Sequence, residues 1–181
     1  VAASVVQVSV FSCSATTPAG TSGETTGLCF NNLDSRSLTS GPIAIPTSTS
    51  GTNYSYPKYL GLEVTTTGTT SIENRQIARS SAPPAGLIIY WGTSALYVQP
   101  AAVIAAANTS ADGVDPDGAT TNWTALTTSY AAYSTASAAT TTGLSGVYAK
   151  VGLGVSSTTI YTGGPGSAIV LPNLLFQFDE A

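Results

Sequence analysis

Apolar residues recur at every second position in several separated stretches of the chain, and each stretch predicts a strand with one face toward a core. Residues 57 to 100 hold the densest group. Leu60, Leu62 and Val64 share one parity, with Gly61 and Glu63 between them, which predicts a half-buried strand ending in the Thr66 to Thr70 stretch around Gly68. Ile72 and Ile77 mark a more polar strand carrying Glu73, Arg75 and Arg79. Charge of this kind on an exposed strand discourages pairing with a foreign edge. Pro83-Pro84-Ala85-Gly86 then stops any ladder, because two successive residues lack the backbone donor. Leu87-Ile88-Ile89-Tyr90-Trp91 is short and continuously apolar, the pattern of a strand buried on both faces.

The flanks are less regular. Val6, Val8 and Val10 alternate within residues 5 to 13 and predict the first strand. Leu28-Cys29-Phe30 resumes an extended segment, so the two are expected to form a hairpin with the Thr16 to Thr26 loop as its tip. Residues 31 to 56 are rich in Ser, Thr, Asn and Pro, with Ile43-Ala44-Ile45 as an apolar island, and predict a polar arm threading over the surface. Ala101 to Ala107 has the alanine content of a helix, but it is short, follows Pro100 and precedes a turn with Asn108 and Gly113, so a strand is expected. Trp123 to Thr142 carries little pattern, and Tyr130 and Tyr133, three apart, allow one short helical turn. Val147, Ala149, Val151, Leu153 and Val155 then alternate with Tyr148, Lys150, Gly152 and Gly154. The two glycines predict close approach of another backbone on that face. After a turn at Thr162 to Gly166, Ala168 to Leu171 and Leu174 to Phe178 are the expected closing strands.

Many short strands separated by Gly and Pro turns predict an all-β fold, an antiparallel β-sandwich or jelly-roll-like body with an extended N-terminal arm or hairpin. With 181 residues the chain is long enough for one good core. The expected division is an N-terminal strand or hairpin and polar arm over residues 1–56, and a β-sandwich domain over residues 57–181.

Composition changes the picture by what the surface lacks. Hydrophobic residues make up 43 % and charged residues only 8 % of the chain, where roughly 25 % charged is usual. Ser, Thr, Asn, Gly and Ala must cover the exterior. Such a surface loses little ion hydration or side-chain entropy when buried, which suits a protein that lives in an assembly. A secreted or thermostable β protein is the plainer alternative. The net charge of −4 and the scatter of the five basic residues argue against nucleic acid. No run of about 18 apolar residues is present, so no helical membrane span is expected. Val1-Ala2-Ala3-Ser4 has neither a basic region nor a long apolar run, so no signal peptide is expected. A start at Val fits removal of an initiator Met or trimming of a leader. Cys13 and Cys29 lack metal-ligand spacing; two buried thiols are the simpler expectation, with a bridge between neighbouring strands as the alternative.

Candidate chemistry is sparse. The chain has no His, which removes the commonest general base and transition-metal ligand and excludes Ser-His-Asp and Cys-His catalysis. Ser55-Tyr56-Pro57-Lys58 has the Ser-x-x-Lys spacing of penicillin-recognising enzymes, but Pro57 disfavours helix at Tyr56. Glu63 and Glu73, on neighbouring predicted strands, are the one carboxylate pair that could act as glycosidase acids do. Asp112, Asp115 and Asp117 could offer oxygens to Ca²⁺, but their spacing departs from the EF-hand loop and lacks its closing Glu, so a solvated turn is the simpler account. Asn53, Asn108 and Asn122 begin glycosylation sequons, which chance produces readily in so Ser/Thr-rich a chain. Tyr90, Trp91 and Tyr97, or Trp123 with nearby tyrosines, could stack on sugars, although aromatics beside an apolar strand are more often core. No catalytic residue, cofactor or metal is assigned.

The segments Lys58-Tyr59-Leu60-Gly61-Leu62-Glu63-Val64, Ile72-Glu73-Asn74-Arg75 and Ala82-Pro83-Pro84-Ala85-Gly86-Leu87, with Tyr90, Tyr97 and Pro100, resemble a pattern in virion structural proteins of tailed bacteriophages. The ending Leu171-Pro172-Asn173-Leu174 with Phe176-Gln177-Phe178-Asp179-Glu180-Ala181 is similar to the closing strand of such proteins. The resemblance covers less than half of the chain and carries no catalytic motif. It implies a non-enzymatic β-sandwich that binds the major capsid protein or other virion proteins. The specific expectation is a capsid cement or decoration protein, homo-oligomeric, assembled into the virion in the host cytoplasm without nucleic acid or membrane partners. A tail, neck or baseplate part is the near alternative, and a carbohydrate-binding surface module or adhesin the more distant one.

Overall fold

The computed structural model describes residues 5–11, 28–33, 43–47, 51–66, 72–94, 100, 103–104, 123–134, 143–144, 148–159 and 169–180. Within them run ten strands: β1 (Val5–Phe11), β2 (Thr52–Tyr54), β3 (Lys58–Thr66), β4 (Ile72–Arg79), β5 (Leu87–Ser94), β6 (Thr124–Ala125), β7 (Ala131–Ser134), β8 (Gly143–Leu144), β9 (Tyr148–Ser156) and β10 (Leu174–Glu180). They form an all-β fold of two sheets. Seven strands make the larger sheet, in the order β1-β3-β9-β5-β6, with β2 also pairing β9 and β8 also pairing β3. The smaller sheet has the order β10-β4-β7. Every strand pairing is antiparallel among the described residues.

The sheets pack face to face, as in a β-sandwich. Leu60, Leu62, Leu87, Ile89, Val151, Leu153 and Val155 of the larger sheet share one cluster with Ile72, Ile77 and Tyr133 of the smaller one. Strand β9 is the keystone. It pairs with β5 over eight residues, from Leu87↔Val155 to Ser94↔Tyr148, and is buried on both faces through Val155. The second face of β9 is therefore not a solvent face. Tyr90, Ile104 and Trp123, with Tyr54 against them, cover that side of the sheet. The neighbours that Gly152 and Gly154 admit are side chains, not another backbone: a Cβ at Gly152 would lie 2.7 Å from Ile104 Cδ1, and one at Gly154 would lie 2.8 Å from Tyr90 Cε2.

Several expectations need correction. Strand β1 pairs with β3, in a register from Val6↔Val64 to Phe11↔Tyr59, and not with residues 28–30, which carry no strand. Strands from both sides of residue 57 thus share one sheet. The polar strand β4 is no exposed strand but the middle of its sheet, with Arg75 inside. Strand β5 is buried on one face only in part, since Ile88 remains 41 % exposed. No helical turn occurs in residues 123–134, and residues 103–104 and 169–171 are not strands. The expected features at Thr16 to Thr26, Ala105 to Ala107, Val147 and Thr162 to Gly166 lie outside the described residues.

Gly86 closes the turn between the sheets. Its φ of 83° is a left-handed conformation natural to glycine. Its carbonyl accepts bonds from Ser156 N and from Thr159 Oγ1.

Candidate functional site

The Ser-x-x-Lys spacing folds into a structural joint. Residues 52–60 run antiparallel along β9, as β2 opposite Gly154 to Ser156 and then β3 opposite Ala149 to Val151. Pro57 has no N–H to offer, so the ladder breaks between the two strands. Ser55 bridges the break. Its N–H donates to Leu153 O at 2.9 Å, and its hydroxyl oxygen accepts from Leu153 N at 2.8 Å. Its own carbonyl turns away to accept from Ile104 N at 2.8 Å. The hydroxyl therefore takes the ladder position that the carbonyl has left, and the carbonyl anchors the segment carrying Ile104 over Gly152. Ser55 is wholly buried and its oxygen is occupied as an acceptor of a backbone amide, which is not the setting of a nucleophile.

Buried cations are the unusual feature. Lys58, Arg75 and Lys150 are each at most 1 % exposed. They are three of the five basic residues in the chain. Lys150 lies on the outer side of β9, with its Nζ 5.3 Å from the centre of the Trp123 ring, a cation–π contact made in a desolvated place. Beside it Tyr59 and Tyr148 meet edge to face at 6.0 Å. Burial pushes the Tyr148 hydroxyl above its ordinary range, and burial together with nearby Tyr54 does the same to Tyr90.

Arg75 faces the other way, into the space between the sheets, and a bulge puts it there. Gln177 pairs with Gln76 and Asp179 with Glu73, so three steps on β4 oppose two on β10. Asn74 takes up the extra residue at φ 47°, a left-handed conformation that Asn tolerates. The inward parity switches from Ile72 to Arg75 and Ile77, all three of them buried. Arg75 donates to Ser134 Oγ at 2.9 Å. Burial holds its guanidinium below the usual arginine range, and the nearby Tyr133 hydroxyl offsets part of that shift. Tyr133 sits in the inter-sheet cluster, against Phe176 edge to face, and its buried hydroxyl has no hydrogen-bond partner among the described residues. Burial pushes that hydroxyl well above the ordinary tyrosine range, with Arg75 pulling the opposite way. Arg79 ends β4 as a clamp. Its side chain donates to Leu126 O and Ser81 O, while its backbone N–H donates to Thr127 O.

The other candidates are dispersed. Glu63 lies on β3 of the larger sheet and Glu73 on β4 of the smaller, so the two strands are not neighbours. Glu73 is instead opposite Asp179, whose Oδ2 accepts from Asn74 Nδ2 at 2.7 Å. Among the described residues no group of three His, Cys, Asp or Glu is placed to hold a metal ion. Consecutive Tyr90 and Trp91 fall on opposite faces of β5, one in the outer cluster and the other packed on the inter-sheet cluster, while Trp123 is buried under Lys150. These rings do not make one exposed platform. Asn53 donates its side-chain amide to Ala44 O. Cys29 is half-buried. Cys13, Tyr97, Asn108, Asn122, Asp112, Asp115 and Asp117 lie outside the described residues. No family model, curated protein or solved structure matches the chain.

Sequence reading found the strands that carry these residues but missed the enclosure of the cations. One signal was present. Ile72 and Ile77 are five apart and cannot share a face of a regular strand, so a bulge between them was implied.

Proposed function

We propose that the protein is a non-enzymatic structural subunit of a bacteriophage particle, a cement or decoration protein that stabilises the capsid by contacts with the major capsid protein and with copies of itself. The reading extends to a jelly-roll-like sandwich, the form that the many short strands and Gly and Pro turns predict, and the phage resemblance implies a β-sandwich. One observation carries it: Lys58, Arg75 and Lys150 are withdrawn into the protein, so a chain with only 8 % charged residues shows still fewer cations outside. An exterior of small neutral side chains can be covered by a neighbour without stripping water from ions, and little rotamer entropy is lost. Ser55 and Lys58, the one Ser-x-x-Lys pair the sequence offered as a catalyst, are both committed to the interior. The burial of Trp123 weighs against a sugar-binding surface at that ring.

Antibodies against the chain, applied to intact particles and viewed by immuno-electron microscopy, test the proposal. Label distributed over the capsid supports decoration. Label confined to the tail or neck replaces it with the tail alternative, and absence of the chain from purified particles by mass spectrometry overturns it.

A further inference from the structure

We infer that β1 is a self-pairing edge, through which two copies of the chain join their larger sheets about a two-fold axis at Val8. Strand β1 ends the seven-stranded sheet, hydrogen-bonded to β3 on one side and with no strand on its other side among the described residues. A strand in that position offers a row of backbone donors and acceptors. Charge, Pro and Gly, which commonly guard such an edge, are absent from Val5–Phe11, and the one irregularity of its ladder is confined to the Val5/Val6 end. The other edges are different. β6 has two residues, β7 has four, and β10 carries Asp179 and Glu180.

A second copy is the occupant because the strand is self-complementary. A two-fold interface brings one patch against itself, so an antiparallel pair centred on Val8 sets Val6 opposite Val10, Gln7 opposite Ser9 and Val5 opposite Phe11. Every pair is matched in polarity, since Val-Val-Gln-Val-Ser-Val-Phe reads as the same apolar and polar pattern in both directions. Val6 and Val8 pack on the inter-sheet cluster. In this register the row containing them continues into the same row of the second copy, so core face joins core face. Seven residues paired in this way add roughly six to eight backbone hydrogen bonds, because alternate pairs exchange two each. Charge does not oppose the same place: each copy carries a net −4, but β1 itself has no charged side chain, and Glu63, opposite Gln7, stands one strand in from the edge.

The pairing deepens the assembly reading by naming a partner and a surface, but it is measured in solution without particles, so either proposal can fail alone. Sedimentation over a concentration series compares the unaltered chain with two double variants, Gln7→Lys with Ser9→Lys and Gln7→Lys with Ser9→Glu. In the Val8-centred register position 7 faces position 9 of the other copy twice. The first variant therefore opposes like charges and the second opposite ones. The unaltered chain is expected to dimerise, the first variant to dissociate at least roughly tenfold more readily than the second, and the second to stay dimeric. Thermal melts confirm that both variants fold. A monomeric unaltered chain, or equal weakening in both folded variants, overturns the inference.

Discussion

Replacing Tyr133 by Phe should stabilise the protein, against the usual direction for a buried tyrosine. The hydroxyl is enclosed in the inter-sheet cluster with no hydrogen-bond partner among the described residues. Leaving such a group dry costs on the order of 1–3 kcal/mol. Phe keeps the ring and its edge-to-face contact with Phe176 at 6.2 Å. A gain of about 1 kcal/mol is expected at neutral pH, which for a chain of this size raises Tm by about 2–4 °C. The alkaline limb supplies an independent reading. In the unfolded chain Tyr133 loses its proton near the ordinary value of 10.0, while in the folded protein burial holds the proton on. Above that pH the unfolded state binds fewer protons, so stability falls as pH rises, by about 1.4 kcal/mol per pH unit for this one group, until the folded hydroxyl also titrates. Tyr90 and Tyr148 are displaced in the same direction and steepen the fall in both proteins. The difference between the two proteins isolates Tyr133, and it should widen above pH 10. Urea unfolding at a series of pH values measures it. A loss of about 1 kcal/mol in the variant at neutral pH, or parallel alkaline limbs, would refute the account of an unsatisfied hydroxyl.

Ser55→Ala leaves the buried Leu153 amide without its acceptor and should cost about 1–3 kcal/mol, with faster hydrogen exchange at Leu153 as its local signature. Gly86→Ala should be the more damaging of two glycine changes, by roughly 3 kcal/mol or more, because φ is 83° and the new Cβ would lie 2.5 Å from the Thr159 backbone. Gly152→Ala meets side chain rather than backbone, Ile104 Cδ1 at 2.7 Å and Cγ2 at 3.0 Å, and its φ carries no strain, so it should cost less, about 1–3 kcal/mol. Melting temperatures in the reverse order would contradict this ranking.

Alternation located β1, β3 and β9 because each keeps a pleat over most of its length, and period 2 is all that such a strand needs to announce itself, while β5 and β10 were legible as short apolar runs. What alternation could not reveal was which sheet a strand joins. Strand β4 follows β3 in sequence, yet it leaves for the smaller sheet, so Glu63 and Glu73 part company and a predicted neighbour pair dissolves. Nor does alternation show what lies across a face. The two glycines of β9 announce that something lies close on that face but not what it is: Ile104 covers Gly152, Tyr90 covers Gly154, and Trp123, from a segment of weak pattern, lies against Lys150.

Arg75 shows how a local irregularity of the fold changes the surface. On a regular strand it would share a face with Glu73, and both would read as solvent charges guarding an edge. The bulge at Asn74 separates them: Glu73 stays on the rim opposite Asp179, while Arg75 turns into the core. One inserted residue thus moves a cation from the outside to the inside, and burial of Lys58 and Lys150 in the larger sheet has the same result. Enclosing a cation is costly in desolvation, and a well-packed apolar residue would often serve stability as well. A surface relieved of cations and rich in Ser, Thr, Gly and Ala loses less when a neighbour covers it. That benefit falls on association rather than on the isolated fold. Replacement of Lys150 by Met tests the trade directly, since a chain that keeps its stability while losing the cation–π contact would show that the buried charge is not required for folding.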